Sequence, residues 1–135
     1  GHFKSKIKIA NLDATTYIKR HISKLGDNSL IYLDPPYFVK GKGLYLNHYQ
    51  EKDHCELSKI ILNNIKQKWV LSYDAVPEIL NLYSQKSYFT YGLQYSAARS
   101  HIGSEIFFFS DNVVVPKRSE LSFVNKGLES LVEKY

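Results

Sequence analysis

A carboxylate, two prolines and an aromatic ring follow one another at Asp34, Pro35, Pro36 and Tyr37. Each proline has a fixed φ angle, lacks an N–H donor, and keeps the residue before it out of helical geometry. The carbonyl groups of this segment are therefore held rigid beside one carboxylate and one aromatic face. Such a set suits a flat ligand that carries an amino group, because the acceptors can take its two hydrogens while its ring stacks on Tyr37.

Acceptors placed in this way could make the exocyclic amine of a purine reactive. The lone pair of that nitrogen is normally delocalised into the ring, so the amine is a poor nucleophile. Two acceptors that draw the amino hydrogens toward tetrahedral geometry would localise the lone pair, and the amine could then attack a methyl sulfonium in line. Positioning and electrostatics would supply the catalysis, with no covalent enzyme intermediate.

The elements that must position these residues alternate along the chain. Strand and helix patterns follow in the order strand, helix, strand, helix, strand, helix, and two final strands, which predicts an α/β fold closing with an antiparallel hairpin. Asp34 and Asp74 end two buried strands, and ligands of open α/β sheets collect at the carboxyl ends of such strands. The predicted strands are 6–10, 29–33, 68–73, 87–95 and 105–110, and the predicted helices begin at Asp13 and cover 51–66 and 76–83.

Composition and charge narrow the function classes. The net charge is +5 with a pI near 9.2, which favours an anionic partner such as nucleic acid. No apolar run approaches the roughly 20 residues of a membrane span, and no secretory signal is visible. The single cysteine, Cys55, cannot form an internal disulfide, which fits a cytoplasmic protein. No His, Cys and carboxylate cluster has metal-ligand spacing, so we expect no metal.

The stretch Leu33–Tyr49, which contains Asp-Pro-Pro-Tyr and then Lys-Gly-Lys-Gly-Leu-Tyr, resembles the catalytic region of the D12 class of DNA adenine-N6 methyltransferases. Ser72-Tyr73-Asp74 and Tyr95-Ser96-Ala97 with Arg99 extend the resemblance, which covers about residues 9–116. It implies a partial Rossmann-like methyltransferase sheet, in which parallel strands with helices end in an antiparallel hairpin. It also implies methyl transfer from S-adenosylmethionine to double-stranded DNA.

The same resemblance assigns roles to residues of this chain. Asp34 and the Pro35 carbonyl would bind the amino group of the target adenine, and Tyr37 would stack on that base once it is flipped from the duplex. Asp13, Leu12 and Asp34 would lie at the cofactor, with Leu12 packing on its adenine ring. A simple helix cap is an alternative role for Asp13, and both roles are compatible.

DNA contacts are expected from two segments rich in basic and aromatic residues. Lys40, Lys42 and Tyr45 belong to a glycine-containing loop that could close over DNA, with lysines at phosphates and the tyrosine against bases. Arg99 is the expected phosphate contact of the loop between the last two strands, and Tyr95 could wall the flipped-base pocket. The alternative for both segments is an ordinary solvated loop.

The sequence departs from the family pattern upstream of Asp34. No Gly-x-Gly cofactor loop precedes it, and no target-recognition segment is present. We therefore expect residues 1–118 to be the catalytic portion of a methyltransferase domain whose N-terminal part is a partner, with an exposed sheet edge and weak cofactor binding by this portion alone. Residues 119–135 are expected to be a helical or flexible tail.

Three other functions remain open. Protein and RNA methyltransferases with a related turn generally have Asn at the position of Asp34, and cytosine-N4 enzymes commonly have Ser there. A DNA-binding or assembly module that has lost its activity would keep the fold, although the intact Asp34 and Tyr37 argue against lost chemistry.

Overall fold

The computed structural model describes residues 6–39, 41, 49–94 and 102–115. Within this part the chain is a mixed α/β fold with a four-stranded sheet. The order of elements after residue 13 is the predicted one, and most ends lie within one or two residues of prediction. The elements are α1 (Ala14–His21), β1 (Leu30–Leu33), α2 (Glu51–Asn64), β2 (Lys68–Asp74), α3 (Pro77–Leu82), β3 (Ser87–Gln94) and β4 (Ile102–Phe109).

Side-chain caps explain where the first two helices begin. Asp13 caps α1, because its carboxylate accepts a hydrogen bond from the Thr16 N–H at 2.9 Å. Gln50 and Asp53 form a reciprocal capping box at the start of α2. A 3₁₀ turn, Ile22–Lys24, ends the first helical segment before the chain enters β1. Local sequence therefore sets both helix starts.

The sheet has the strand order β1-β2-β4-β3. β1 and β2 are parallel, with Leu33 opposite Leu71, whereas β4 runs antiparallel to both of its neighbours. The hairpin β3–β4 therefore inserts its second strand beside β2. This order brings the carboxyl ends of β1 and β2 next to the N-terminal half of β4, and β1 lies at one edge of the described sheet.

The described helices join a single buried core on one face of the sheet. Fifteen buried residues form it, and each fully buried leucine or isoleucine contributes about 1.5–3 kcal/mol. The core comprises Ile18, Ile22, Ile31, Phe38, Leu57, Ile60, Ile61, Ile65, Trp69, Leu71, Tyr73, Ile79, Tyr83, Ile106 and Phe108. On the opposite face, the rings of Tyr91 and Phe107 stack with centroids 5.1 Å apart.

Two expectations for the strands are wrong. Residues 7–10 form no strand, and Ile9 is 93% exposed, because no described strand lies beside them to pair with an alternating pattern. The segment that became β1 is not buried on both faces: Ile31 is buried, but Leu30 and Tyr32 are exposed because no described element covers that side. Residues 119–135 lie outside the described residues. No described helix is both long enough and apolar enough to cross a membrane.

Candidate active site

Asp34 follows the carboxyl end of β1 directly, and it is exposed. Ser72, buried on the neighbouring strand β2, donates a hydrogen bond from its Oγ to Asp34 Oδ1 at 2.7 Å. The Leu33 carbonyl is a more distant acceptor for the same hydroxyl, at 3.4 Å. The Tyr32 hydroxyl donates to Ser72 Oγ at 3.1 Å, which directs the serine proton away from Tyr32. Two hydroxyl groups in series therefore fix one oxygen of the carboxylate, and no described donor reaches the other.

The two prolines keep the segment after Asp34 extended. Pro35 and Pro36 are half-buried, and no described donor reaches the Pro35 carbonyl. The chain turns only after them, where the Gly41 N–H donates to the Tyr37 carbonyl at 3.0 Å. The Asp34 carboxylate and the Pro35 carbonyl are thus two acceptors on one rigid stretch of backbone, as the sequence predicts.

Asp74, at the end of β2, holds the turn that follows the prolines. Its Oδ1 accepts from the Phe38 N–H at 2.9 Å, and its Oδ2 accepts from the Val39 N–H at 2.8 Å. The side chain is buried, with 3% of Asp74 exposed. Hydrogen bonds to an ionised acceptor are stronger than those between neutral groups. Asp74 therefore fixes the backbone immediately after Tyr37 to the sheet.

The hydroxyl group of Tyr37 is bound on the far side of β2. It donates to Glu105 Oε2 at 3.1 Å, and the Tyr91 hydroxyl donates to the same oxygen at 2.6 Å. Burial raises the pKa of Tyr37 well above its ordinary value, and the negative charges of Glu105 and Asp34 raise it further. The pKa of Tyr91 is raised by burial and by its bond to Glu105. Both tyrosines are therefore neutral donors at physiological pH.

A cluster of aromatic rings packs beneath the turn. The Tyr37 ring lies 6.3 Å from that of Tyr73, whose hydroxyl group lies 2.9 Å from His54 Nδ1. Phe38 and Tyr49 pack on the same histidine, with ring centroids at 5.1 and 5.4 Å. Burial raises the pKa of Tyr73 beyond its ordinary range. This cluster supports the Tyr37 turn from the core side.

The residues predicted at the cofactor lie at the surface. Asp13 Oδ1 accepts from the Thr15 hydroxyl at 2.7 Å and from the Thr16 N–H at 2.9 Å, and these bonds lower the pKa of Asp13. The predicted cap is thus confirmed, and no described donor reaches the second oxygen of Asp13. Leu12 is exposed. Burial and then the Asp13 charge raise the pKa of Tyr49, which places Asp13 within electrostatic reach of the aromatic cluster.

The predicted DNA contacts Lys40, Lys42, Tyr45, Tyr95 and Arg99 all lie outside the described residues. Within the described ranges, no group of three or more His, Cys, Asp and Glu side chains could hold a metal ion.

Five residues that hold Asp34 or the Tyr37 turn by hydrogen bonds were not assigned a role from sequence: Tyr32, Ser72, Asp74, Tyr91 and Glu105. Ser72-Tyr73-Asp74 carried a signal, because it ends a buried strand beside the strand of Asp34, but its atomic role depends on the register of β1 against β2. Glu105 is an acidic residue at the start of the predicted strand 105–110, which ordinarily indicates an exposed strand end. Its burial is the feature that sequence did not indicate.

No protein-family model matches this sequence, and no curated protein matches it significantly.

Proposed function

We propose that this chain carries the target-base half of an S-adenosylmethionine-dependent DNA methyltransferase that modifies the N6 amino group of a flipped adenine. One observation carries the proposal. Asp34 and Pro35 directly follow the carboxyl end of β1, no described donor reaches Asp34 Oδ2 or the Pro35 carbonyl, and the Tyr37 hydroxyl is bound by Glu105.

The fold supports this proposal, and a partial Rossmann-like methyltransferase sheet is part of it. β1 and β2 are parallel neighbours, and α2 lies between them in sequence. Both strands deliver polar side chains at their carboxyl ends, where open α/β sheets bind ligands. An antiparallel hairpin closes the sheet. The net charge of +5 favours a polyanionic substrate such as DNA.

The acceptors have the chemistry that activation of an aromatic amine requires. Asp34 Oδ1 is already satisfied by Ser72, so Oδ2 is the oxygen that accepts one amino hydrogen of the base. The Pro35 carbonyl accepts the other. With both hydrogens held, the nitrogen lone pair leaves conjugation and points out of the ring plane. As the new N–C bond forms, the nitrogen becomes positively charged, and Asp34 stabilises that charge. The proton held by Asp34 Oδ2 then passes to this carboxylate and from it to water.

The residues assigned to the cofactor fit it. When bound, S-adenosylmethionine supplies a methyl group on a sulfonium, whose C–S bond breaks as the N–C bond forms. Asp34 is an exposed carboxylate suited to a cationic neighbour, and Leu12 offers an exposed apolar side chain to a ring. Asp13 caps α1 through one oxygen, which leaves the other to accept a hydrogen bond from the cofactor.

Methyl transfer from labelled S-adenosylmethionine to unmethylated genomic DNA tests the proposal, using the protein made from its complete coding sequence. We expect label in DNA from the wild type and a loss of at least about a hundredfold for Asp34→Ala, because the substitution removes a charge-assisted contact in the transition state that the bound base would cover from water. Asp111→Ala is the matched control, since Asp111 is an exposed aspartate on the opposite end of the sheet that binds only Lys86 among described residues. Normal transfer by Asp34→Ala would show the mechanism to be wrong.

A further inference from the structure

Glu105 is a buried carboxylate in a position that the proposed chemistry does not use. Glu105 is 7% exposed and lies in β4, directly opposite Tyr91 in β3. A buried carboxylate is strongly disfavoured unless donors satisfy it. Here two phenol groups converge on one of its oxygens, at 3.1 Å from Tyr37 and 2.6 Å from Tyr91.

The two donors come from different parts of the fold. Tyr91 reaches Glu105 because the hairpin register places them side by side. Tyr37 comes from the turn after β1, which is separated from β4 by the whole of β2 in the sheet order. The hydrogen bond between Tyr37 and Glu105 therefore connects the turn after Pro36 to the β3–β4 hairpin, across strand β2.

Asp34 also lies within electrostatic reach of the Tyr37 hydroxyl, because its negative charge contributes to raising the pKa of Tyr37. A phenol has one proton to donate. While Glu105 accepts that proton, the hydroxyl cannot donate it to Asp34, and the free oxygen of Asp34 stays available for an incoming amine. The bond also fixes the position of the hydroxyl oxygen and therefore the long axis of the Tyr37 ring. Because a phenol O–H prefers to lie in the plane of its ring, the bond also favours one ring plane for a flat base to stack on.

We propose that Glu105 is a positioning residue that orients the ring of Tyr37 through its hydroxyl, with Tyr91 holding Glu105 in place. The stacking part of this role rests on the proposed function. It explains why the ring at position 37 is a tyrosine in this chain and why an acidic side chain is buried at position 105. Glu105 itself touches neither substrate nor cofactor.

A double-substitution cycle tests this role. The variants are Tyr37→Phe, Glu105→Met and the double variant, each assayed for kcat and for the KM of S-adenosylmethionine in methyl transfer to unmethylated genomic DNA. We expect each single substitution to lower kcat about tenfold, with the KM unchanged, which corresponds to loss of one hydrogen bond to a charged group. The double variant should match Tyr37→Phe alone, because the proposed role of Glu105 acts through the Tyr37 hydroxyl, which is already absent in Tyr37→Phe.

Two controls separate positioning from general damage to the fold. Glu105→Gln keeps a carbonyl acceptor and should retain activity within about threefold of wild type. Tyr88→Phe makes the same chemical change in β3 on the core side, where the ring packs on Phe108, and should leave kcat unchanged. A double variant about a hundredfold below wild type, or full activity of Glu105→Met, would overturn the positioning role.

The same cycle is measured in urea unfolding, which does not depend on activity. We expect the two substitutions to be coupled by about fivefold or more in the unfolding equilibrium constant, as for residues in direct contact. Absence of coupling would overturn the bond on which the inference rests. If the variants show coupling in urea unfolding but the wild-type protein transfers no methyl group, the proposed function is refuted, and the stacking role of Tyr37 with it.

Discussion

Asp74 offers the clearest test of how the turn after Pro36 is held. Asp74→Asn keeps the shape of the side chain, but its amide has one acceptor oxygen where the carboxylate has two. The Phe38 and Val39 N–H groups each donate to a separate oxygen, at 2.9 and 2.8 Å. The amide therefore retains one bond in weaker form, and it directs its own N–H₂ group against the other donor.

The burial of the two donors sets the magnitude. Phe38 is buried, so its N–H has no access to water, whereas Val39 is exposed and its N–H can be rehydrated. Hydrogen bonds to charged groups contribute about 1.5–3 kcal/mol each, and a buried donor without a partner costs about 1–3 kcal/mol. Full loss of one of these two hydrogen bonds and weakening of the other should lower the free energy of unfolding by about 2–4 kcal/mol, which is a large part of the stability of an ordinary domain.

Urea unfolding can be followed through Trp69, the only tryptophan of the chain, which is buried in the core. Asp111→Asn is the matched control: Asp111 pairs with Lys86 at 2.8 Å, but its side chain is 77% exposed, so we expect a change below about 1 kcal/mol. Amide exchange at Phe38 and Val39 should accelerate in Asp74→Asn alone. If the two variants have the same stability and the two amides stay protected, Asp74 does not hold the turn.

Two further predictions concern hydroxyl groups. Ser72→Ala should lower kcat for methyl transfer about tenfold, because it frees Asp34 Oδ1. Ser58→Ala is the control: it removes a buried hydroxyl that donates within α2, and it should leave kcat unchanged. Equal kcat values for the two variants would contradict the role of Ser72. In alkaline titration, a tyrosine whose pKa is raised in the folded state should still be neutral near pH 10. It contributes its full stabilisation below its ordinary pKa, and this contribution is lost as the pH rises toward the raised pKa. The four tyrosines whose pKa is raised most should ionise only with unfolding, which Trp69 fluorescence reports; they are Tyr37, Tyr73, Tyr83 and Tyr91. A single transition of all eleven tyrosines in the folded protein would refute this prediction.

Features that depend on neighbouring residues were predictable from sequence. The Asp13 cap needs only Thr15 and Thr16, and the rigidity after Asp34 needs only the two prolines. The apolar run that became β2 and the helical spacing in α2 likewise indicated their elements to within two residues. In each case the interacting groups are close in sequence, so the pattern itself contains the interaction.

Features that depend on strand register were not predictable. The bonds from Phe38 and Val39 to Asp74 join residues 36 and 35 positions apart, and the bond from Tyr37 to Glu105 spans 68. A shift of one residue in either pairing would turn Asp74 or Glu105 to the other face of the sheet. The failure at residues 7–10 has the same origin, since an alternating pattern forms a strand only when a partner is there to pair with it.

We propose that the Asp34 site modifies the N6 atom of adenine in DNA. The most direct measurement expresses the protein, from its complete coding sequence, in a bacterial host that lacks DNA adenine methylation, and then identifies the modified nucleosides of the host DNA by mass spectrometry. We predict N6-methyldeoxyadenosine with the wild type and none with Asp34→Ala. N4-methyldeoxycytidine in its place, or N6-methyldeoxyadenosine at equal levels with both proteins, would contradict the account.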